Sequence, residues 1–374
     1  MWIGYSAGPN SSKGCVMRSG RYQRRQVLGG LAAGATGLAV GSRGHIASAG
    51  SSRGNGDASR LDLQVIDFHS HFVGPAFTPL AGAAAPPALR DHFREINRKL
   101  ASSASLLNSI DEAGITARVV NTPLEFIRSM GGEAETFMVQ RINDQLADLV
   151  SRHPGRLYGM ATVDAYSGED GAKELTRAVR ELGLRGVFLE SARGDLLLDA
   201  PEARPTLAAA SALGVPIFVH PVNDHQLRRR FGRYGRAGMM LSRGTINALA
   251  LIALLESGTL DELPGLRIVV TTLAVGAVLL TGAFGDGGRI RQDAPELVRR
   301  HVYVDTMGLN PVLIRSMVDL LGPDHVLAGT DWPIFTETAV TDRLQRALTA
   351  CGLNAAEQRM IASGNALRLL GVEK

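Results

Sequence analysis

Two histidines stand one residue apart in "QVIDFHSHF", His69 and His71, at the end of a β-branched apolar run. Side chains two apart on an extended strand leave the same face, so both imidazoles can address one ion. A third imidazole, His220, closes "PIFVHP", and a carboxylate, Asp331, closes "VLAGTD" just ahead of Trp332 and Pro333. Three imidazoles and one carboxylate form a mixed N/O donor set for a single divalent transition metal. Zinc is the first expectation on that set, and manganese, cobalt and iron(II) are compatible with it. Each residue alone has a blander reading: any strand HxH shares a face, His220 could be a hydrogen-bonded core histidine, and Asp331 could cap a helix. Their joint position, each at the end of its own strand, favours the metal site.

Such a site needs a scaffold that brings three strand ends together. From Leu61 onward, short apolar runs alternate with helix-like segments. The strand candidates are "LQVIDFH" (63–69), "ARVVN" (117–121), "LYGMATV" (157–163), "GVFLE" (186–190), "PIFVHP" (216–221), "LRIVVTT" (266–272), "VYVDT" (302–306) and "HVLAGTD" (325–331). Runs that are apolar without strict alternation indicate parallel strands covered on both faces. Between them, segments such as "ETFMVQRINDQLADLVSRH" and "GAKELTRAVRELGL" carry helical spacing. Eight such units predict an α/β fold of the (β/α)8 TIM-barrel type, whose chemistry sits at the C-terminal ends of the strands. A doubly wound open sheet competes, but no GxGxxG follows the first strand. Residues 73–105, containing "FTPLAGAAAPPALRDHF", read as a lid-like insertion after strand one.

The net charge of +4 invites a nucleic-acid reading, and its distribution argues against one. Residues 1–49 hold six basic side chains and no acidic one, leaving 34 basic against 36 acidic residues in the remainder. Within that segment, Arg24 and Arg25 precede a mild Gly/Ala-rich apolar run, and Ala47-Ser48-Ala49 suits signal-peptidase cleavage before Gly50. Residues 1–49 are therefore expected to be a twin-arginine-like export signal, placing the protein in the periplasm or outside the cell without a stable membrane anchor. Residues 50–60, "GSSRGNGDASR", read as a linker, and 61–374 as the barrel. Beyond the signal only Cys351 remains, so neither an internal disulfide nor a cysteine-based metal site is expected.

"VIDFHSHF", "PIFVHP" and "VLAGTDWP" resemble the signatures of the amidohydrolase superfamily, in the branch related to aminocarboxymuconate-semialdehyde decarboxylase. The resemblance continues through "INDQLADLVSRHPGRLYGMATVD", "AVRELGLRGVFLES" and "DELPGLRIVV" and covers most of residues 61–372. It implies ligation of one metal by His69, His71, His220 and Asp331. It also implies a nonoxidative decarboxylase of a small unsaturated or aromatic acid, or else a hydrolase of a lactone, ester or amide. Members usually end strand six with a histidine that acts as general base; here Thr271 and Thr272 occupy that place. A threonine hydroxyl orients water or substrate but does not carry a proton near neutral pH. Asp331, Thr272 and His225 are the candidates for the catalytic work, with Glu190 at the end of strand four as a further acid or base. Arg193, Arg228, Arg229, Arg230, Arg233 and Arg243 could anchor a carboxylate, and Trp332 is expected in the pocket wall. A non-catalytic exported binding protein that keeps the metal cage is the remaining reading, and a homodimer is an assembly compatible with the resemblance.

Overall fold

The computed structural model describes residues 61–76, 87–128, 136–271, 274–285, 289–290, 292–335 and 338–372. The expected signal and linker, part of the expected lid and Thr272 lie outside these residues. Among the described residues, eight parallel strands follow one another around the domain. They are β1 (Ile66–His71), β2 (Ala117–Asn121), β3 (Leu157–Gly159 with Ala161–Thr162), β4 (Val187–Glu190), β5 (Ile217–His220), β6 (Ile268–Val270), β7 (Val302–Asp305) and β8 (Val326–Leu327). Pairing runs β1-β2-β3 in one sheet and continues from the second half of β3 through β4, β5, β6, β7 and β8 in another. Met160 joins the two halves of β3 through its N–H to Val120 O at 3.0 Å. Closure comes from the segment after β8: Phe68 N donates to Ala328 O at 2.8 Å and His71 N to Trp332 O at 2.9 Å. The sheet therefore has no free edge, and the expected barrel is the observed fold.

Two apolar layers account for the runs read in the sequence. Phe68, Val119, Phe188, Phe218, Val269 and Leu327 belong to an inner cluster that fills the lumen. Alternate residues such as Val120, Leu189, Val219 and Val270 join the outer cluster beneath the helices. Both faces of each strand are thus buried, which is why these strands carry little alternation.

One irregularity in β1 matters for everything above it. Asp67 pairs with Arg118 but Ser70 with Val120, so β1 carries one residue more than its partner between these points. This β-bulge reverses the facing of the strand. Ile66 and Phe68 point into the lumen before it, His69 and His71 after it, and Asp67 points away. Asp67 is fully buried against Arg118, with which it forms an ion pair. It also accepts from Ser70 Oγ at 3.0 Å, Thr330 Oγ1 at 2.7 Å and Thr330 N at 2.9 Å. Arg118 reaches onward to Ser109 Oγ at 3.1 Å on the helix Ser103–Ala113 and lies over the Trp332 ring at 5.3 Å. This buried knot clamps β1, β2 and the segment after β8 where the barrel closes. Trp332 is consequently a buried member of the outer core and not the pocket wall expected from its neighbour Asp331.

At the mouth, the helices Pro87–Leu100, Leu124–Arg128 and Thr136–Ser151 share a small apolar cluster containing Val73, Ile96, Leu124 and Ile142, with Phe126 and Ile334 packed against it. The described end of the expected lid is therefore a helix docked beside the barrel mouth. His301 sits at the opposite end, buried, with Nδ1 donating to Leu266 O at 2.7 Å. Cys351 is buried as a packed thiol.

Candidate metal centre

The register that fills the lumen also sets what lies above it. Phe218 faces inward on β5, so His220, two residues on, faces inward one layer nearer the mouth. The same count from Tyr303 on β7 delivers Asp305, and from Phe188 on β4 delivers Glu190, which pairs in register with His220. Asp331 reaches the layer differently. It has a positive φ of 64° and anchors to β1 by its N–H to His69 O at 2.8 Å.

Four expected ligands converge. His69, His71, His220 and Asp331 each place a donor atom within 4.8 Å of the others, and all four are buried. Metal bonds of about 2.0–2.2 Å at tetrahedral angles put ligand atoms roughly 3.3–3.6 Å apart, so modest shifts close this cage on an ion. Hydrogen bonds fix the imidazoles for that role. His69 Nδ1 lies 2.6 Å from Asp305 Oδ2, and a carboxylate only accepts, so the ring proton is on Nδ1 and the Nε2 lone pair faces the cage. His71 Nδ1 lies 2.8 Å from Asn121 Oδ1, to which it donates in the tautomer that turns the Nε2 lone pair to the cage. Its Nε2 is then 3.0 Å from Asp331 Oδ1, and His69 Nε2 is 3.4 Å from the same oxygen. Acceptors brought this close repel each other unless a cation lies among them.

The burial of these groups sharpens the point. His69 Nε2 and His220 Nδ1 are buried without a hydrogen-bond partner among the described residues. Each such orphan costs about 1–3 kcal/mol, a cost that coordination of an ion would offset. Burial alone would lower the pKa of His69, but the carboxylates of Asp331, Asp305 and Asp67 outweigh it and hold the value above the ordinary one. Burial drives His220 well below the usual imidazole value, and the charge of Arg243 and its neighbours His71 and His69 add to this. His220 is thus a neutral ligand, while His69 sits in a field built to hold positive charge. The residues fit a divalent metal.

The remaining candidates scatter. His225 starts the helix His225–Phe231 and is exposed, outside the four-residue cluster. Thr271 is buried and accepts from Asn247 Nδ2 at 3.1 Å. Arg193 pairs with Asp164 at 2.8 Å, and Arg228, Arg229, Arg230 and Arg233 lie on exposed positions. Arg243 alone of the six bonds next to a ligand, donating to Pro221 O at 2.7 Å. Sequence reasoning missed Asp305 and Asn121, the two groups that orient the β1 histidines; both end apolar runs, as His220 does. Such partners fix tautomer and ring direction and raise ligand basicity.

Comparison with known proteins agrees with this geometry. The amidohydrolase family model matches residues 66–372. The 2-amino-3-carboxymuconate-6-semialdehyde decarboxylase of Dictyostelium discoideum is 24% identical over 290 residues, covering 75% of this chain and 80% of that one. A gamma-resorcylate decarboxylase of Rhodococcus jostii is 27% identical over 249 residues, covering 61% and 76%. Among solved structures, 5-carboxyvanillate decarboxylase from Sphingomonas paucimobilis superposes with a TM-score of 0.73 at 21% identity, covering 83% of this chain and all of that one. A dihydroxybenzoic acid decarboxylase from Polaromonas, with bound manganese and 2-nitroresorcinol, gives 0.69 at 21% identity, covering 83% and 98%. With the match spanning the whole barrel and the ligand cage in place, this chain belongs to the amidohydrolase family.

Proposed function

We propose that this protein is a metal-dependent, nonoxidative decarboxylase of a small aromatic or unsaturated carboxylic acid. The observation that carries the reading is the cage of His69, His71, His220 and Asp331 in a barrel whose relatives are decarboxylases of such acids. When bound there, the metal supplies Lewis-acid polarisation of substrate oxygens. Three imidazoles and a carboxylate suit zinc, while manganese in a structural neighbour shows that a related barrel accepts a harder ion.

The chain's own contribution centres on Asp331. It is 9% exposed against 3% or less for the three histidines, so it is the ligand nearest the open mouth. Its Oδ1 faces both β1 imidazoles, which leaves Oδ2 as the atom to take a proton from solvent at the mouth and pass it to the carbon that bears the substrate carboxylate; the C–C bond then breaks, its electron pair restores the π system and CO2 leaves. Hydrolysis has a different need, a base that takes a proton from water. Thr271 cannot serve as that base, and its hydroxyl is tied to Asn247.

The test is metal analysis of the purified protein, followed by a screen of hydroxybenzoic and unsaturated acids for CO2 release, with lactones run in parallel. His69→Ala and Asp331→Ala should lose metal and turnover together. Full turnover in a metal-free His69→Ala protein, or lactone opening without CO2 release, overturns the reading.

Two further readings are proposed alongside it. Export rests on the arginine pair and the cleavage motif of residues 1–49, and N-terminal sequencing of secreted protein should begin at Gly50. A homodimer is supported by the apolar face carrying exposed Leu241, Leu249, Leu279 and Leu280. Light scattering should give twice the chain mass, falling to one chain in Leu241→Asp.

A further inference from the structure

A guanidinium near the metal site would complement an acidic substrate, and the structure sorts the available arginines. Arg193 is paired with Asp164, and Arg233 lies over the ring of its neighbour Tyr234. Arg243 is held differently. On the helix Gly235–Glu256, its Nη2 donates to the carbonyl of Pro221, the residue next to His220, at 2.7 Å. Its Nη1 donates to Glu125 Oε2 at 3.0 Å. Glu125 belongs to the helix Leu124–Arg128 that leaves β2, and its other oxygen accepts from Asn223 N at 2.6 Å. Strands β2 and β5 are not neighbours in the barrel, so these bonds cross part of the mouth and fix the guanidinium beside a metal ligand.

A guanidinium has five N–H donors. Among the described residues Arg243 has two acceptors, which leaves three donors on a side chain that is 18% exposed. It is oriented without being saturated. We propose that Arg243 receives an oxyanion of the substrate, its carboxylate or ionised ortho-hydroxyl, at the rim of the metal site, and that Glu125 holds the guanidinium in that direction. This assignment rests on the decarboxylase reading and adds to it a selection for acids over neutral phenols, because a fixed guanidinium rewards a charged planar acceptor.

The test compares metal-loaded wild type, Arg243→Gln and Glu125→Gln by calorimetric titration with 2,6-dihydroxybenzoate and with neutral resorcinol, metal content being measured in each. Arg243→Gln should weaken binding of the acid by roughly 10- to 100-fold, the range for a charge-assisted hydrogen bond. Resorcinol affinity should stay within about twofold and metal content should not change. Glu125→Gln keeps an acceptor for Arg243 and removes a negative charge from the rim, so the acid should bind as tightly as in wild type or more tightly. Unchanged acid binding in Arg243→Gln overturns the assignment and leaves the decarboxylase reading standing. Equal losses for acid and resorcinol, or lost metal, reduce Arg243 to a structural role and overturn it as well. A wild type that binds no acid in the panel overturns both readings.

Discussion

Asp305 offers the most direct test of whether the cage is built for a metal. Its carboxylate is 2% exposed, accepts from His69 Nδ1 at 2.6 Å and uses its other oxygen to accept from Met307 N at 3.2 Å. Replacing Asp305 by Ala frees the His69 ring to rotate and to shift its proton to Nε2, the atom that must stay unprotonated. Loss of such an orienting partner weakens metal binding about 10- to 100-fold, or about 1.4–2.7 kcal/mol at 1.36 kcal/mol per tenfold. Asp305→Asn keeps an oxygen for the Nδ1 proton and loses only the charge, so it should fall near the tenfold end. Competition against a chromophoric chelator measures the affinity, and far-ultraviolet circular dichroism checks that the barrel is intact. Parent-like metal affinity in a folded Asp305→Ala protein would refute the orienting role. It would also remove the argument that His69 Nε2 is presented as a lone pair.

Other perturbations probe the frame around the cage. Arg118→Met leaves the Asp67 carboxylate buried without its cation and should destabilise the barrel by about 3–5 kcal/mol in denaturant unfolding; a loss under about 1 kcal/mol would contradict the clamp. In Gly329→Ala the new Cβ would lie 2.8 Å from Asp305 Cβ and 3.2 Å from His69 Cβ, so overpacking of about 1–3 kcal/mol should appear together with weaker metal binding. Burial lowers the pKa of His301 and His325 from the ordinary 6.5, so the unfolded chain takes up protons there that the folded chain refuses. Their contribution is complete above pH 6.5 and is lost as the pH falls below it. His69, with its raised value, acts in the opposite sense in the metal-free chain. The readout is therefore the difference between parent and His301→Gln: the fall in unfolding temperature from pH 7 to 5 should be shallower in the variant, and equal slopes would exclude the effect.

How far the site could be read in advance depends on what fixes each side chain. The eight strands were legible because parallel strands buried on both faces must be continuous apolar runs, and each expected run overlaps an observed strand. The four ligands were legible because each interrupts or closes such a run with a group that is costly to bury alone. Asp305 carried the same signal at the end of "VYVDT", but recognising it needs a parity count from a neighbour known to face the lumen. The Arg118–Asp67 pair carried none, since its partners stand on different strands and meet only after the barrel closes. The facing of β1 lies between these cases. In "IDFHSH" the apolar residues fall at 66 and 68 and the histidines at 69 and 71, so the two sets have opposite parity. A regular strand cannot send both inward; either the phenylalanine or the imidazoles would face the helices. The lumen needs Phe68 and the cage needs both histidines, so the chain must contain one extra residue between them, which is where the register shifts. The HxH pair can bind a metal here because the backbone breaks its own alternation one residue earlier, and that break was written in the pattern as a conflict of parity.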